Sequence, residues 1–130
     1  MFGDILADEL SQITGTACML PSAELDVNGK GLFTPNQLHH PDESIIGKDK
    51  ANPIGLISSI ALMLRYSFNL YEEANLIERA IDRAIDKGYR TEDIYSKGKK
   101  LVGTQIMGDI ICSCINELAH GDSKLGKITI

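Results

Sequence analysis

The sequence predicts an α/β fold, rich in helix, with one short β-hairpin. Three observations carry this. Asn28-Gly29 lies between two short β-prone runs, Leu25 to Val27 and Leu32 to Thr34, and both positions of a two-residue hairpin turn call for positive φ. Three later segments place apolar residues at helical spacing. Two short strands do not make an independent sheet, so the hairpin must lean on helices and on further core.

In chain order, Asp4 to Thr14 reads as a short helix stopped by Gly15, a residue suited to the left-handed cap position. Pro21 then breaks the chain before the hairpin. Pro35 to Asn52 is an 18-residue stretch without periodicity, and a loop longer than about 12–15 residues is usually functional or disordered. Asn52-Pro53 reads as an N-cap followed by proline at the first helical position. The helix it opens runs to about Phe68 and is apolar nearly all round, which predicts burial on all sides. Asn69 and Glu72 have the spacing of a capping box. The helix they open carries the stripe Ile77, Ala80, Ile81, Ala84 and Ile85, and runs to Lys87 before Gly88. Thr104 is expected to cap a last helix striped by Met107, Ile110, Ile111, Cys114, Ile115 and Leu118. From Gly121 onward the residues are small and polar, as in a loose tail.

Composition narrows the function. The chain has 130 residues, 43% of them apolar and 24% charged, about one small globular domain. Thirteen Lys+Arg against eighteen Asp+Glu give a net charge of -5. With no basic block, the electrostatic footing for nucleic acid or an anionic membrane is missing. Three cysteines are an odd number and too few for a disulfide framework, which suits a reducing cytoplasm. Cys112 and Cys114, two apart on a helix, face different ways and make a poor metal pair. No basic n-region precedes an apolar run, so no signal peptide is expected. The longest apolar stretch, Ile54 to Leu64, falls short of the roughly 20 residues a membrane span needs.

Asp4 and Asp8 carry the most informative spacing. Four apart at a helix start, their carboxylates share a face, and two hard oxygen ligands suit Mg²⁺ or Mn²⁺. The same pair equally suits first-turn acids favoured by the helix dipole; residue types alone do not choose. The adjacent His39 and His40 do not easily chelate one ion. Asp42 could accept from a ribose diol, as could any loop aspartate. No Ser/His/Asp or Cys/His arrangement, P-loop, GxGxxG or CxxC motif occurs.

Longer segments carry a family resemblance. MFGDILADE (Met1–Glu9) with TGTACMLPSAEL (Thr14–Leu25) resembles the metal-site segment of the isocitrate/isopropylmalate dehydrogenase family. GKDKANPIGLISSIALMLRYSFN (Gly47–Asn69) is similar to the helix that follows the family's adenosine-binding loop. GYRTEDI (Gly88–Ile94) and GTQIMGDII (Gly103–Ile111) resemble its C-terminal end. The pieces occur in family order, and the later ones resemble the isopropylmalate branch more than the isocitrate branch.

The resemblance implies the C-terminal part of that fold over residues 1–119, with 120–130 as a flexible tail. It implies oxidative decarboxylation of a small 2-hydroxy acid, 3-isopropylmalate in leucine synthesis, using NAD and Mg²⁺ or Mn²⁺. By position, Asp4 and Asp8 would be metal ligands, Asp42 (after Pro41) the partner of the adenosine ribose diol, and Asn52 the adenine contact. The loop departs from the family at Gln37, Leu38, His39 and His40, where small residues let backbone approach the nucleotide. The resemblance also implies that about two-thirds of a family member lies before Met1, including its catalytic Tyr and Lys and a third metal Asp. No catalytic residue is therefore assigned to this chain. Alone it is expected to be inactive and to self-associate, or to pair with an N-terminal fragment or an intact homologue.

Overall fold

The structure, a computed structural model, describes Glu9 and residues 17–35 and 43–121. Apart from Glu9, the helix expected over Asp4 to Thr14 lies outside these residues. A 3-10 turn, Ala17–Met19, leads into β1 (Pro21–Leu25), which pairs antiparallel with β2 (Gly31–Pro35) from Pro21 opposite Pro35 to Leu25 opposite Gly31. The two prolines occupy the outermost pair, where a missing N–H costs least.

The hairpin is as expected, but its turn is not the two-residue type. Only Gly29 has positive φ (77°). The Gly29 amide donates to the Asp26 carbonyl (3.1 Å), and the Asp26 amide donates to the Lys30 carbonyl (2.7 Å). This is a three-residue loop whose glycine takes the left-handed position. Asp26 decides it: its carboxylate accepts from the Asn28 and Lys30 amides at 2.8 Å each. Those bonds, the Lys30 one foremost, hold the Asp26 carboxyl below its ordinary range.

Three helices follow: α1 (Ile54–Ser67), α2 (Tyr71–Asp86) and α3 (Thr104–Gly121). α2 lies between the other two. Its fully buried Ala74, Ala80 and Ala84 let both neighbours approach closely. The core joins Ile54 of α1 and Ala80, Ile81 and Ala84 of α2 to Met107, Ile111 and Cys114 of α3. Both predicted stripes are found there, with Ile77, Ile85, Ile110, Ile115 and Leu118 packed at its edge. Cys112 is exposed while Cys114 is buried, as their two-residue spacing requires.

α1 is not buried all round. The hairpin and α2 cover Ile54, Gly55, Ser59 and Ala61, but Leu56 and Ile60 stay 52% and 42% exposed. Only two of its sides meet a packing element among the described residues. On the hairpin side, the Ser59 hydroxyl reaches the Thr34 carbonyl (2.7 Å) and the Gly55 carbonyl (2.8 Å).

Two expected caps are replaced. Asn69 forms no capping box; no side chain caps α2 at Leu70. Asn69 instead takes φ 56°, and the Leu70 amide turns back to the Leu64 carbonyl (2.9 Å). Asparagine is among the few side chains that tolerate this conformation, so it closes α1 rather than opening α2. Thr104 does not cap α3 either: the Gln105 amide donates to Asp49 Oδ1 (2.9 Å), from a loop more than fifty residues away. The end of α2 is as expected, with Gly88 at φ 89°. There the Arg90 guanidinium donates to the Ile85 carbonyl (2.6 Å).

Between α2 and α3 lies a feature no periodicity announced. β3 (Tyr89–Arg90) pairs in parallel with β4 (Lys100–Leu101). Strands of two residues carry no alternation to read. α3 continues to Gly121, past the 119/120 boundary, and residues 122–130 lie outside the described set. No helix among the described residues is long and apolar enough to cross a membrane.

An ion cluster ties α2 to α3. Glu117 accepts from Lys87 (2.9 Å) and Arg83 (3.2 Å). The Lys87 hydrogen bond is the main cause that lowers the Glu117 carboxyl and raises the Lys87 ammonium. A depressed carboxylate stabilises the fold above its unfolded pKa, and the benefit is lost as pH falls through the folded value. The unfolding midpoint of the natural chain should therefore exceed that of Glu117→Gln at pH 7, and the two should converge at acid pH. In urea, Ile111→Ala should cost about 2–4 kcal/mol and Leu56→Ala no more than about 0.5.

Candidate functional site

The site forms where separated segments meet at the start of α1. Gly55 makes the meeting possible. A Cβ there would collide with the Cys18 carbonyl and crowd Pro35, so the 17–19 turn and the end of β2 rest directly on helix backbone. Residues 43–52 return to the same place, because Asn52 is the residue that starts the helix. Its Oδ1 accepts from the Ile54 amide (3.0 Å), with Pro53 already in helical conformation (φ -84°, ψ -5°). The N-cap expected at Asn52 is present, shifted by one residue from the strict helix boundary.

The other end of the Asn52 side chain is also engaged. Its Nδ2 donates to Asp93 Oδ2 (2.9 Å). Asp93 Oδ1 accepts from the hydroxyl of Thr91 (2.6 Å), which is fully buried. One salt bridge runs parallel to this chain of bonds, Lys50 to Glu92 at 3.0 Å. It is solvent-exposed and adds little. The TED segment at 91–93 thus grips the end of the loop by side chains, and Asn52 has both polar ends committed within the protein.

Beside this junction lies a cavity of about 550 Å³, formed by residues 45–47, 49–51 and Thr104. Its size is in the range of small-molecule sites. Ile45, Ile46 and Ala51 give it an apolar wall, and Gly47 turns the loop between them at φ 70°. Asp49, Lys50 and Thr104 supply its polar side chains.

Of the residues singled out from sequence, only Asn52 is placed. Asp4, Asp8 and Asp42 lie outside the described residues. No group of three or more His, Cys, Asp or Glu side chains among the described residues is arranged to hold a metal ion. Asp49, Thr91 and Asp93 had not been singled out. Asp93 sits two residues beyond a threonine, a spacing that favours a local side-chain bond, but its partner Asn52 is 41 residues away.

The family model for isocitrate/isopropylmalate dehydrogenase matches residues 1–111. The chain belongs to that family. It is 52% identical over 118 residues to 3-isopropylmalate dehydrogenase of Pseudomonas fluorescens, covering 91% of this chain and 32% of that protein. The enzyme of the same name from Burkholderia lata is 51% identical over 115 residues, again with 32% of its length covered. A crystal structure of isocitrate dehydrogenase from Methylococcus capsulatus superposes with a TM-score of 0.76 at 28% identity, over 88% of this chain and 32% of that one. The chain therefore spans about a third of the length of these family members, and its α/β architecture is that of the family.

Asp93→Ala should cost about 1–2 kcal/mol in urea unfolding, because it strands the buried Thr91 hydroxyl and releases Asn52. Thr91→Val should cost less when added to Asp93→Ala than alone, since the two side chains share one bond.

Proposed function

We propose that this chain supplies the adenosine and metal side of an NAD-dependent 3-isopropylmalate dehydrogenase, an oxidative decarboxylation of a 2-hydroxy acid. The observation that carries the reading is the 52% identity to the Pseudomonas fluorescens enzyme across 91% of the chain. The apolar cavity beside Asn52 agrees with it.

The chain's own residues divide the work. The cavity wall of Ile45, Ile46 and Ala51 takes the adenine ring. The Asn52 side chain, oriented by Asp93 and the helix cap, keeps a second amide hydrogen and a second oxygen lone pair for the ring edge. Asp42 accepts from the ribose diol, and its charge repels a 2′-phosphate, favouring NAD over NADP. Asp4 and Asp8 are the residues that would hold Mg²⁺ or Mn²⁺. A divalent ion held there would supply electrostatic stabilisation of developing negative charge, and bound NAD would supply the hydride acceptor. The remaining catalytic groups come from polypeptide outside these 130 residues.

A second reading rests on one feature, the exposed Leu56 and Ile60 face of α1. In it the chain pairs with an intact homologue as a non-catalytic subunit. Absorbance of NADH separates the two. The isolated chain should give no turnover with 3-isopropylmalate, NAD⁺ and Mg²⁺. A chimera in which it replaces the matching third of the Pseudomonas fluorescens enzyme should be active, and Asp4→Ala or Asp8→Ala should lower its kcat by at least about 100-fold. A folded but silent chimera would favour the non-catalytic subunit.

A further inference from the structure

Asp49 is the least ordinary residue of the described loop. It holds φ 54°, a conformation that L side chains other than Asn and Asp seldom take. Glycine would adopt it more easily, so the carboxylate must be doing something glycine would not. It accepts from the Gln105 amide at 2.9 Å, while the Asp49 carbonyl accepts from the Thr104 amide at 3.0 Å. The Thr104 hydroxyl completes the clamp by donating to the Ala51 carbonyl at 2.6 Å. Two of the amides that a helix N-terminus leaves unpaired are thus satisfied from one loop residue.

The opposite surface is shaped to receive it. A Cβ at Gly103 would collide with the Asp49 carboxylate and carbonyl. Gly103 is outside the positive-φ region, so its lack of a side chain serves this close approach and no turn. Asp49, Ala51 and Thr104 all border the 550 Å³ cavity, and the clamp forms part of its wall.

We propose that Asp49 is a positioning residue for nucleotide binding: by clamping residues 49–51 to the first turn of α3, it fixes one side of the wall against which the adenine of NAD packs. The proposal rests on the cofactor reading given above. In it α3, which also packs in the core and pairs with α2 through Glu117, becomes the anchor of the loop. The C-terminal part of the loop is then held twice, to α3 through Asp49 and to the TED segment through Asn52.

The test uses the full 130-residue chain, labelled with ¹⁵N, with NAD⁺ as the probe. Amide exchange at Gln105 reads the clamp, and shifts at residues 45–52 during titration read binding. Asp49→Ala and Gly103→Ala should each speed Gln105 exchange and weaken NAD⁺ binding by about five- to tenfold, in line with the loss of a helix cap. Asp49→Asn tolerates the same φ and keeps an oxygen acceptor, so it should stay within about threefold of the natural chain. Unchanged Gln105 exchange in both Asp49→Ala and Gly103→Ala overturns the clamp. Faster exchange with unchanged affinity overturns the positioning role and leaves a cap of stability alone. No shift at 45–52 in the natural chain overturns the cofactor reading, and the proposal with it. That failure is distinguishable, because Gln105 exchange would still respond to the variants.

Discussion

The described structure depends on backbone-to-backbone closeness at the N-terminus of α1. Four stretches that are far apart in sequence meet there: the 17–19 turn, the end of β2, the 43–52 loop and the TED segment at 91–93. Gly55 removes the side chain that would hold the first two away. Asn52 ties the other two to the helix with the two ends of a single carboxamide. Any bulk at position 55 separates the hairpin from the helix, and any loss at position 52 leaves the exposed Lys50–Glu92 pair as the loop's tie to the TED segment. The cavity next to them is a consequence of this arrangement, since its wall is the loop that Asn52 terminates.

The core plays a different part. Ile54, Met107, Ile111 and Cys114 interlock through the alanines of α2, and this sets the distance from α1 to α3. That distance decides whether Asp49 can reach the first turn of α3 while Asn52 reaches α1, three residues along the loop. An extended chain covers at most about 3.3–3.6 Å per residue, so the loop between these two anchors has little slack. Helix packing and loop conformation are therefore coupled: a shift of α3 along α2 would be felt at the cavity wall.

What the sequence disclosed follows the range of the interactions involved. Helix stripes, the Asn52-Pro53 start and the Gly88 stop are local, and each was legible because its partners lie within a turn or two. The hairpin was legible for the same reason. Its turn type was not, because Asp26 competes for the amides of Asn28 and Lys30 and moves the left-handed residue to Gly29 alone. Asn69 and Thr104 misled by having side chains right for a cap, in places where αL geometry and a distant aspartate took over. The exposure of Leu56 and Ile60 was illegible in principle: apolarity says what a helix can bury, and neighbours decide what it does bury. In the site, Asn52 could be named from its local signal and from the family resemblance. Asp49 and Asp93 gave no such signal, because their partners lie 41 to 56 residues away.

A physical division of labour follows from where the polar groups are spent. In the described loop and its surroundings, Asn52, Asp93, Thr91, Asp49 and Thr104 all direct their side chains at other parts of the protein. Groups committed in this way are poor acids, bases or nucleophiles, because using them chemically would first break the bonds that hold the site. They are good at keeping a surface rigid, and rigidity lowers the entropy lost when a ligand binds. Among the described residues, this loop and its surroundings therefore form a fixed surface. If NAD packs here as proposed, this loop offers it a fixed wall, and reactivity is left to side chains that the fold does not commit.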